Sequence, residues 1–509
     1  MHMTKQQRLV LVVSILASFV AFMDGAIVNV ALPAIRQQLG GGLSAQQWVV
    51  DAYLLTLGSF ILIAGSLSDL LGRKKIMWLG LLGFGVASVL CALAPNSNSL
   101  IIFRGLQGIA GALLVPSSLA LIISTFKGSA QGKAVGTWTA WTGISFIIGP
   151  LLGGILVDTA SWRWIFAINI VPIAVTLYLL RNVKPLPKSQ SRSPIDIAGA
   201  LLCALGLGGP VFALIEQPRY GWGSPLIYLP LAVGAWLLSG FLLYEKRAKR
   251  PMLPLGIFRN HNFSVGNVAT LGIYAGLSIA TFLIVVFLQQ VSGYSALASG
   301  LAILPVTIIM FVLSPRFGAL SGKHGPRLFM GLGPLIAGGG FLMMLDMTAR
   351  VNYWTQLFPA VMVFGVGLSV TVAPLTAAIL GDVPSEQAGI ASAVNNAVAR
   401  IAGLLAIAAV GAVVAAQFTA SLNKYSKVWH LDPVAIHLSE QTPLITTSTK
   451  PYDHKSYRFD QTPGIYKQGL EYASVSAFRA GMVTTAGLVM AGGVVSLIGI
   501  RNPKRRQTA

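Results

Sequence analysis

Apolar residues run along this chain in long blocks, not in the stripes of a soluble helix or the alternation of a half-buried strand. Fourteen stretches of roughly 18 or more predominantly apolar residues follow one another, each long enough to cross a bilayer core as a helix. They fall at about 9–32, 46–68, 76–94, 100–126, 134–157, 163–181, 195–215, 226–244, 262–290, 296–315, 327–347, 354–378, 391–417 and 477–500. The polar breaks between them are short except for 418–476, which mixes charges with Tyr425, Trp429, Tyr452, Tyr457 and Tyr466. That segment reads either as a solvated hairpin or short helices over one end of the molecule, or as a docking surface for an extracytoplasmic adaptor. The first stretch follows Lys5 and Arg8 but is too long for a signal-peptide core and contains Asp24, so it reads as a retained helix. The pattern predicts an all-α integral membrane protein.

Composition sharpens this reading. Only 10% of the 509 residues are charged and 54% are hydrophobic, against about a quarter charged in soluble domains, which excludes an ordinary soluble enzyme. The two cysteines, Cys91 and Cys203, lie within apolar runs and do not make a disulfide scaffold. A net charge of +21 would suit a nucleic-acid binder, but the positions of the charges argue otherwise. On one side of the predicted spans fall 23 Lys and Arg, among them Arg73, Lys74, Lys75, Lys246, Arg247 and Arg501, whereas the short loops opposite carry Arg36, Arg163, Arg219 and Arg350. By the positive-inside rule the crowded side is cytoplasmic, with both termini inside and the chain in the cell (inner) membrane. The basic excess is topological, and no nucleic-acid partner is expected.

The chain also repeats itself. Gly65-Ser66-Leu67-Ser68-Asp69-Leu70-Leu71-Gly72 after the second span and Gly318-Ala319-Leu320-Ser321-Gly322-Lys323-His324-Gly325 after the tenth share the pattern G-x-L-S-x-x-x-G. This puts spans 1–6 in register with spans 9–14 and makes spans 7 and 8 an insert. The expected organisation is a six-helix bundle over 1–182, two inserted helices with cytoplasmic linkers over 183–260, and a second six-helix bundle over 261–509. Parallel six-helix repeats about an axis along the membrane normal are the architecture of rocker-switch transporters, with substrate held between the halves.

Ionisable groups inside a membrane helix are costly and need a partner or a task. Asp24, Asp51, Arg104 and Arg400 qualify. At about 1.5 Å of rise per residue, Asp24 lies roughly 13 Å, Asp51 roughly 5–8 Å and Arg104 roughly 6 Å from the outer ends of their spans. One arginine and two carboxylates there make a cluster with one negative charge in excess, able to take up one proton. Asp24 is the candidate for that proton, tuned by Arg104, with Asp51 as a second acidic site favouring cations. The competing reading gives Asp24 and Arg104 a purely structural pairing and leaves Asp51 in a wetted vestibule. Arg400, near Asn395 and Asn396, either lines the second half of a cavity or is a structural hydrogen-bonding group. Polar and aromatic candidates for a cavity lining are Asn29, Gln107, Trp138, Trp141, Gln289, Asn395 and Asn396. A wide apolar cavity with aromatics and a few acids accepts bulky lipophilic cations without a fixed pose. In the Gly65–Lys75 segment, Gly72 permits a tight turn, Asp69 can engage a helix N-terminus or an arginine, and Arg73 to Lys75 face the anionic leaflet. Gly149, Gly153 and Gly154 with Pro150 read as a bent, close-packing stretch of span 5.

The chain resembles the major facilitator superfamily, and within it the fourteen-helix drug:proton antiporter branch. The resemblance rests on Met23-Asp24-Gly25-Ala26-Ile27-Val28-Asn29-Val30-Ala31-Leu32-Pro33, the Gly65–Lys75 segment, Arg104-Gly105-Leu106-Gln107-Gly108, Gly149-Pro150-Leu151-Leu152-Gly153-Gly154 and Ser161-Trp162-Arg163-Trp164-Ile165-Phe166. Leu70, where the motif usually has a basic residue, and Ser145, where span 5 usually has glycine, depart from it. The resemblance implies two six-helix bundles plus two extra central helices, with proton-coupled export of lipophilic, cationic compounds. It also implies that the Gly65–Lys75 segment latches the halves outward-open and that the Gly149–Gly154 segment marks exchange of substrate for protons. The alternative is export of a specific metabolite, lipid or siderophore. No His-Glu-x-x-His, Ser/His/Asp grouping or Gly-x4-Gly-Lys-Ser/Thr loop occurs, so neither an intramembrane enzyme nor ATP-driven pumping is expected, and no metal or cofactor. The expected partners of the chain, working as a monomer, are small lipophilic substrates, protons and membrane lipids.

Overall fold

A computed structural model describes residues 3–126, 129–184, 196–248, 251–381, 383, 388–429, 444 and 463–502. Every described element is helical, and fourteen helices are long and apolar enough to span a membrane. They are α1 (Lys5–Leu39), α2 (Leu43–Leu71), α3 (Arg73–Ala92), α4 (Ser97–Thr125), α5 (Ser129–Thr159) and α6 (Trp164–Arg181). The inserted pair is α7 (Ile197–Tyr220) and α8 (Pro225–Arg247). There follow α9 (His261–Gln290), α10 (Ala296–His324), α11 (Arg327–Asp346), α12 (Tyr353–Gly381), α13 (Ala388–Trp429) and α14 (Pro463–Gly499).

Local chemistry sets the ends. The α1 start is a capping box: Gln7 N–H donates to Thr4 Oγ1 at 3.2 Å and Thr4 N–H to Gln7 Oε1 at 3.1 Å. The repeated G-x-L-S-x-x-x-G segment is not a loop, as its polarity suggested, but the last turns of α2 and α10. It closes on Gly72 (φ 99°) and Gly325 (φ 86°), a region costly for any other residue. Gly72 N–H donates to Ser68 O and Gly325 N–H to Ser321 O, so matched serines and glycines form the same C-cap in both halves. Lys74 Nζ then donates to the carbonyls of Arg181 and Val183 at 3.0 and 2.6 Å, tying the α2–α3 turn to the C-terminus of α6.

Two helices extend furthest beyond their predicted spans. α13 continues to Trp429 and α14 begins at Pro463, where Tyr425 packs 6.0 Å from Tyr472. The two ends of the expected 418–476 loop are therefore helical, and the docking-surface reading falls mainly on residues outside those described. Lys127, Lys188, Arg192, Lys249, Arg250, Lys504, Arg505 and Arg506 also lie outside them.

Packing repeats as the sequence does. α1 packs on α4, α5 and α6, α2 on α4, and α3 on α4 and α6. Shifted by eight helices, the same pattern holds: α9 on α12, α13 and α14, α10 on α12, and α11 on α12 and α14. The two sets meet along α2–α13, α5–α10 and α1–α9, the first two contacts exchanging under the repeat. The inserted α7 and α8 pack on each other, and α7 covers the α2–α13 seam from outside, where Trp48 Nε1 donates to Glu216 Oε1 at 2.9 Å.

Candidate functional site

The most polar point inside the first set of helices is assembled by α1, α3, α4 and α6 around Asp24, which is fully buried. Arg104 Nη1 donates to Asp24 Oδ2 at 2.5 Å. Gln107 Nε2 and Asn169 Nδ2 each donate to Oδ1 at 2.8 Å. Ser88 Oγ accepts from Gln107 at 3.0 Å and from Asn169 at 3.4 Å, linking α3 to the group. Arg104 also donates from Nη1 to Gln107 Oε1 at 2.6 Å and from Nε to the Val49 carbonyl at 3.0 Å. Its guanidinium carbon lies 4.3 Å from the centroid of Tyr53, whose hydroxyl donates to Ala21 O at 3.1 Å. A buried ion pair needs further hydrogen bonds to offset its desolvation, and here both Asp24 oxygens accept them.

Asp51 does not join this cluster. It is fully buried, and neither carboxylate oxygen has a hydrogen-bond partner. Helical phase explains the separation. Val49 and Tyr53, one turn apart, face α4 and Arg104, whereas Asp51 is about 200° from each around the helix. It shares its face with Gln47, Leu54 and Gly58, which pack on α13: Gln47 Nε2 donates to Ile407 O at 2.7 Å, and a Cβ on Gly58 would lie 3.5 Å from Arg400 Cβ. The sequence expectation of one arginine between two carboxylates is thus replaced by a closed pair in one half and an unpartnered acid on the seam between halves.

The glycine–proline segment of α5 presents two small faces. A Cβ on Gly149 would lie 3.0 Å from Ala26 Cβ, and one on Gly153 2.6 Å from Ile27 Cγ1, so both admit α1. Pro150 and Gly154 face α10 instead: a Cβ on Gly300 would lie 2.9 Å from Pro150 O, and one on Gly154 would run into Leu297 Cα. These α5–α10 contacts, late in α5 and early in α10, lie towards the end of the molecule away from the termini.

The known proteins to which this chain is similar agree with one another. The model of the Major Facilitator Superfamily matches residues 14–407. The chain belongs to the major facilitator superfamily. It is 32% identical over 458 residues to the "Multidrug resistance protein Stp" of Mycobacterium tuberculosis (strain CDC 1551 / Oshkosh), covering 89% of this chain and 84% of that one. It is 35% identical over 425 residues to the "Multidrug transporter protein MdtP" of Bacillus subtilis (strain 168), covering 81% and 76%. A bacterial homologue of the human lysosomal transporter Spinster, solved inward-facing and occupied, superposes with a TM-score of 0.64 at 16% identity over 99% of this chain and 98% of that one. At that identity the likeness concerns the fold. With fourteen spanning helices, this major facilitator protein is a multi-pass membrane protein.

The other sequence candidates do not converge on one hydrogen-bonded site. Gln107 belongs to the Asp24 cluster. Asn29 donates to Gly25 O at 3.4 Å and leaves Oδ1 buried and unpartnered. Trp138 Nε1 donates to Ser18 Oγ at 3.0 Å, and Trp141 is exposed. Gln289 Nε2 reaches across the halves to Val30 O at 2.9 Å and also bonds Ser299 Oγ at 2.8 Å. Asn395 Nδ2 donates to Asn267 Oδ1 and Thr270 Oγ1 at 3.1 and 2.9 Å, and Asn396 Nδ2 to Ser392 O at 2.9 Å. Arg400 stacks 5.2 Å from the Phe22 centroid, across the seam. The side chain of Asp69 lies outside the described residues, and a Cβ on Gly65 would meet open space.

Sequence reasoning missed Asn169, Ser88 and Tyr53. Asn169 carried a signal, an amide within the apolar sixth span three residues past the quoted Ser161–Phe166 motif. Ser88 and Tyr53 carried none, because neither residue type is unusual in a membrane helix.

Proposed function

We propose that this chain is a secondary active exporter that expels lipophilic, cationic compounds across the cell membrane in exchange for protons, by alternating access between its halves. The observation that carries the reading is Asp51, a buried carboxylate without a donor on the surface where the two halves touch. When the halves part there, its surroundings change from apolar packing to water, while those of Asp24 do not. A carboxylate buried while the halves touch and wetted when they part can hold a proton or a cationic substrate but not both, which is a condition for exchange.

The proton role expected of Asp24 passes to Asp51 in this proposal. Asp24 already accepts three hydrogen bonds, one from a cation, and is best suited to hold α1, α4 and α6 together. The names of the two relatives support drug export, and the lysine and arginine asymmetry supports cytoplasmic termini. With that orientation, the contacting end is external and this state is shut to the outside. Exposed Trp141 and the free oxygen of Asn29 suit an apolar, weakly polar lining for bulky cations, with Trp138, Asn395 and Asn396 as its framework and Gln289 bonded across the halves. Gly65, Asp69, Gly72 and Arg73 serve as the cytoplasmic latch, and the protein works as a monomer among lipids.

The test is uptake of a fluorescent lipophilic cation into inverted vesicles under an imposed pH gradient. Accumulation should collapse with a protonophore and persist without ATP. Asp51→Asn should lose gradient-driven accumulation yet retain energy-independent exchange of substrate. Full uphill transport by a folded Asp51→Asn protein, or accumulation indifferent to the protonophore, refutes the assignment.

A further inference from the structure

One side chain joins the two halves without belonging to the proton site or to the glycine–proline segment. Asp158 follows Pro150 and Gly154 at successive steps of four, so all three occupy the α5 face that meets α10. Its Oδ1 accepts the backbone N–H of Ala296 at 3.0 Å and its Oδ2 that of Leu297 at 2.9 Å. These are the first two amides of α10. The third, Ala298 N–H, is taken at 3.1 Å by the helix's own cap, Ser295 Oγ. A helix begins with four amides lacking an internal partner and with the positive end of its dipole. Here α10 satisfies one of them itself, and a carboxylate from the opposite half satisfies two.

This arrangement exists only while the halves touch. The α5 backbone reaches α10 because Gly154 has no side chain to strike Leu297 and Gly300 none to strike Pro150. The neighbouring ties between halves, Gln289 to Val30 O and Gln47 to Ile407 O, are neutral amide contacts. Asp158 adds a full negative charge shared over two donors at a helix N-terminus, a stronger and more directional link. Separation hands both amides and the carboxylate to water, so the link is reversible.

We propose that Asp158 is the lock of the outer gate, holding the halves closed at the end opposite the termini by completing the N-terminal cap of α10. The glycines make the close approach sterically allowed, and the carboxylate makes it favourable. The inference rests on the alternating-access reading above, and the experiment separates the two.

Nitroxide labels on Ala160→Cys in the α5 end and Leu301→Cys in α10 report the gate distance in purified full-length protein by pulsed electron spin resonance. The native Cys91 and Cys203 are buried and leave the background low. Asp158→Asn should raise the ratio of long to short distances about tenfold, the size of one lost charge-assisted hydrogen bond. Asp158→Glu should restore most of the short population, and Gly154→Ala should also lengthen the distance because its methyl props the helices apart. A wild-type distribution in Asp158→Asn overturns the lock, whether or not Gly154→Ala lengthens the distance. If the distances shift as expected in a protein that shows no gradient-driven transport, the lock stands and the exporter reading falls. If transport is proton-driven but Asp158→Asn leaves the distances unchanged, the reverse holds.

Discussion

Two buried carboxylates in the same six-helix set, Asp24 and Asp51, have opposite surroundings. Asp24 is enclosed by Arg104, Gln107 and Asn169 from two other helices, with Ser88 behind them. Asp51 is equally buried but has no donor, on the α2 face that packs against α13. Burial alone therefore does not tell these two acids apart. What distinguishes them is whether the surrounding donors move with the carboxylate or can part from it. Asp24's donors all belong to its own half and travel with it through any rigid-body motion of the halves. Asp51 faces a surface that such a motion removes.

Removing Arg104 should break the first environment most severely. Arg104→Ala strands the Asp24 charge and should destabilise the protein by about 3–5 kcal/mol, measured by thermal unfolding in detergent or nanodiscs. Asn169→Ala takes one donor from Asp24 and one from Ser88 and should cost about 1–3 kcal/mol in the same assay. Tyr53→Phe keeps the ring beneath the guanidinium and loses only the bond to Ala21 O, for about 0.5–1.5 kcal/mol. Asp51→Asn should change stability least, within about 1 kcal/mol of wild type, because no hydrogen bond is lost. Its effect should appear in gradient-driven accumulation instead. A large stability loss for Asp51→Asn with a small one for Arg104→Ala would invert the comparison and the roles drawn from it.

Much of this was readable in one dimension. The fourteen spans follow from apolar length, a local property, and so does the rarity that marks Asp24, Asp51 and Arg104. The helical extensions of α13 to Trp429 and α14 from Pro463 escaped notice because they run into polar sequence, where no apolar block marks their ends. The conversion of G-x-L-S-x-x-x-G from loop to helix end has the same cause. Gln107 reads in the sequence as a cavity residue, but its amide serves Asp24. Asp158 carries no mark in the sequence, since an acid at the end of a span ordinarily means only solvent.

The sequence by itself determined how many times this protein crosses the membrane, that its crossings repeat in two sets of six, and which rare charges lie inside. Those properties depend on the transfer of single residues or short segments from water to lipid. Only the tertiary structure decided which charges are paired. Residues 24, 104 and 169 meet through packing of three helices far apart in the chain, and Asp51 is turned from them by its phase on α2. A charge's partner is set by distance and direction in space, to which a linear pattern of polarity is blind.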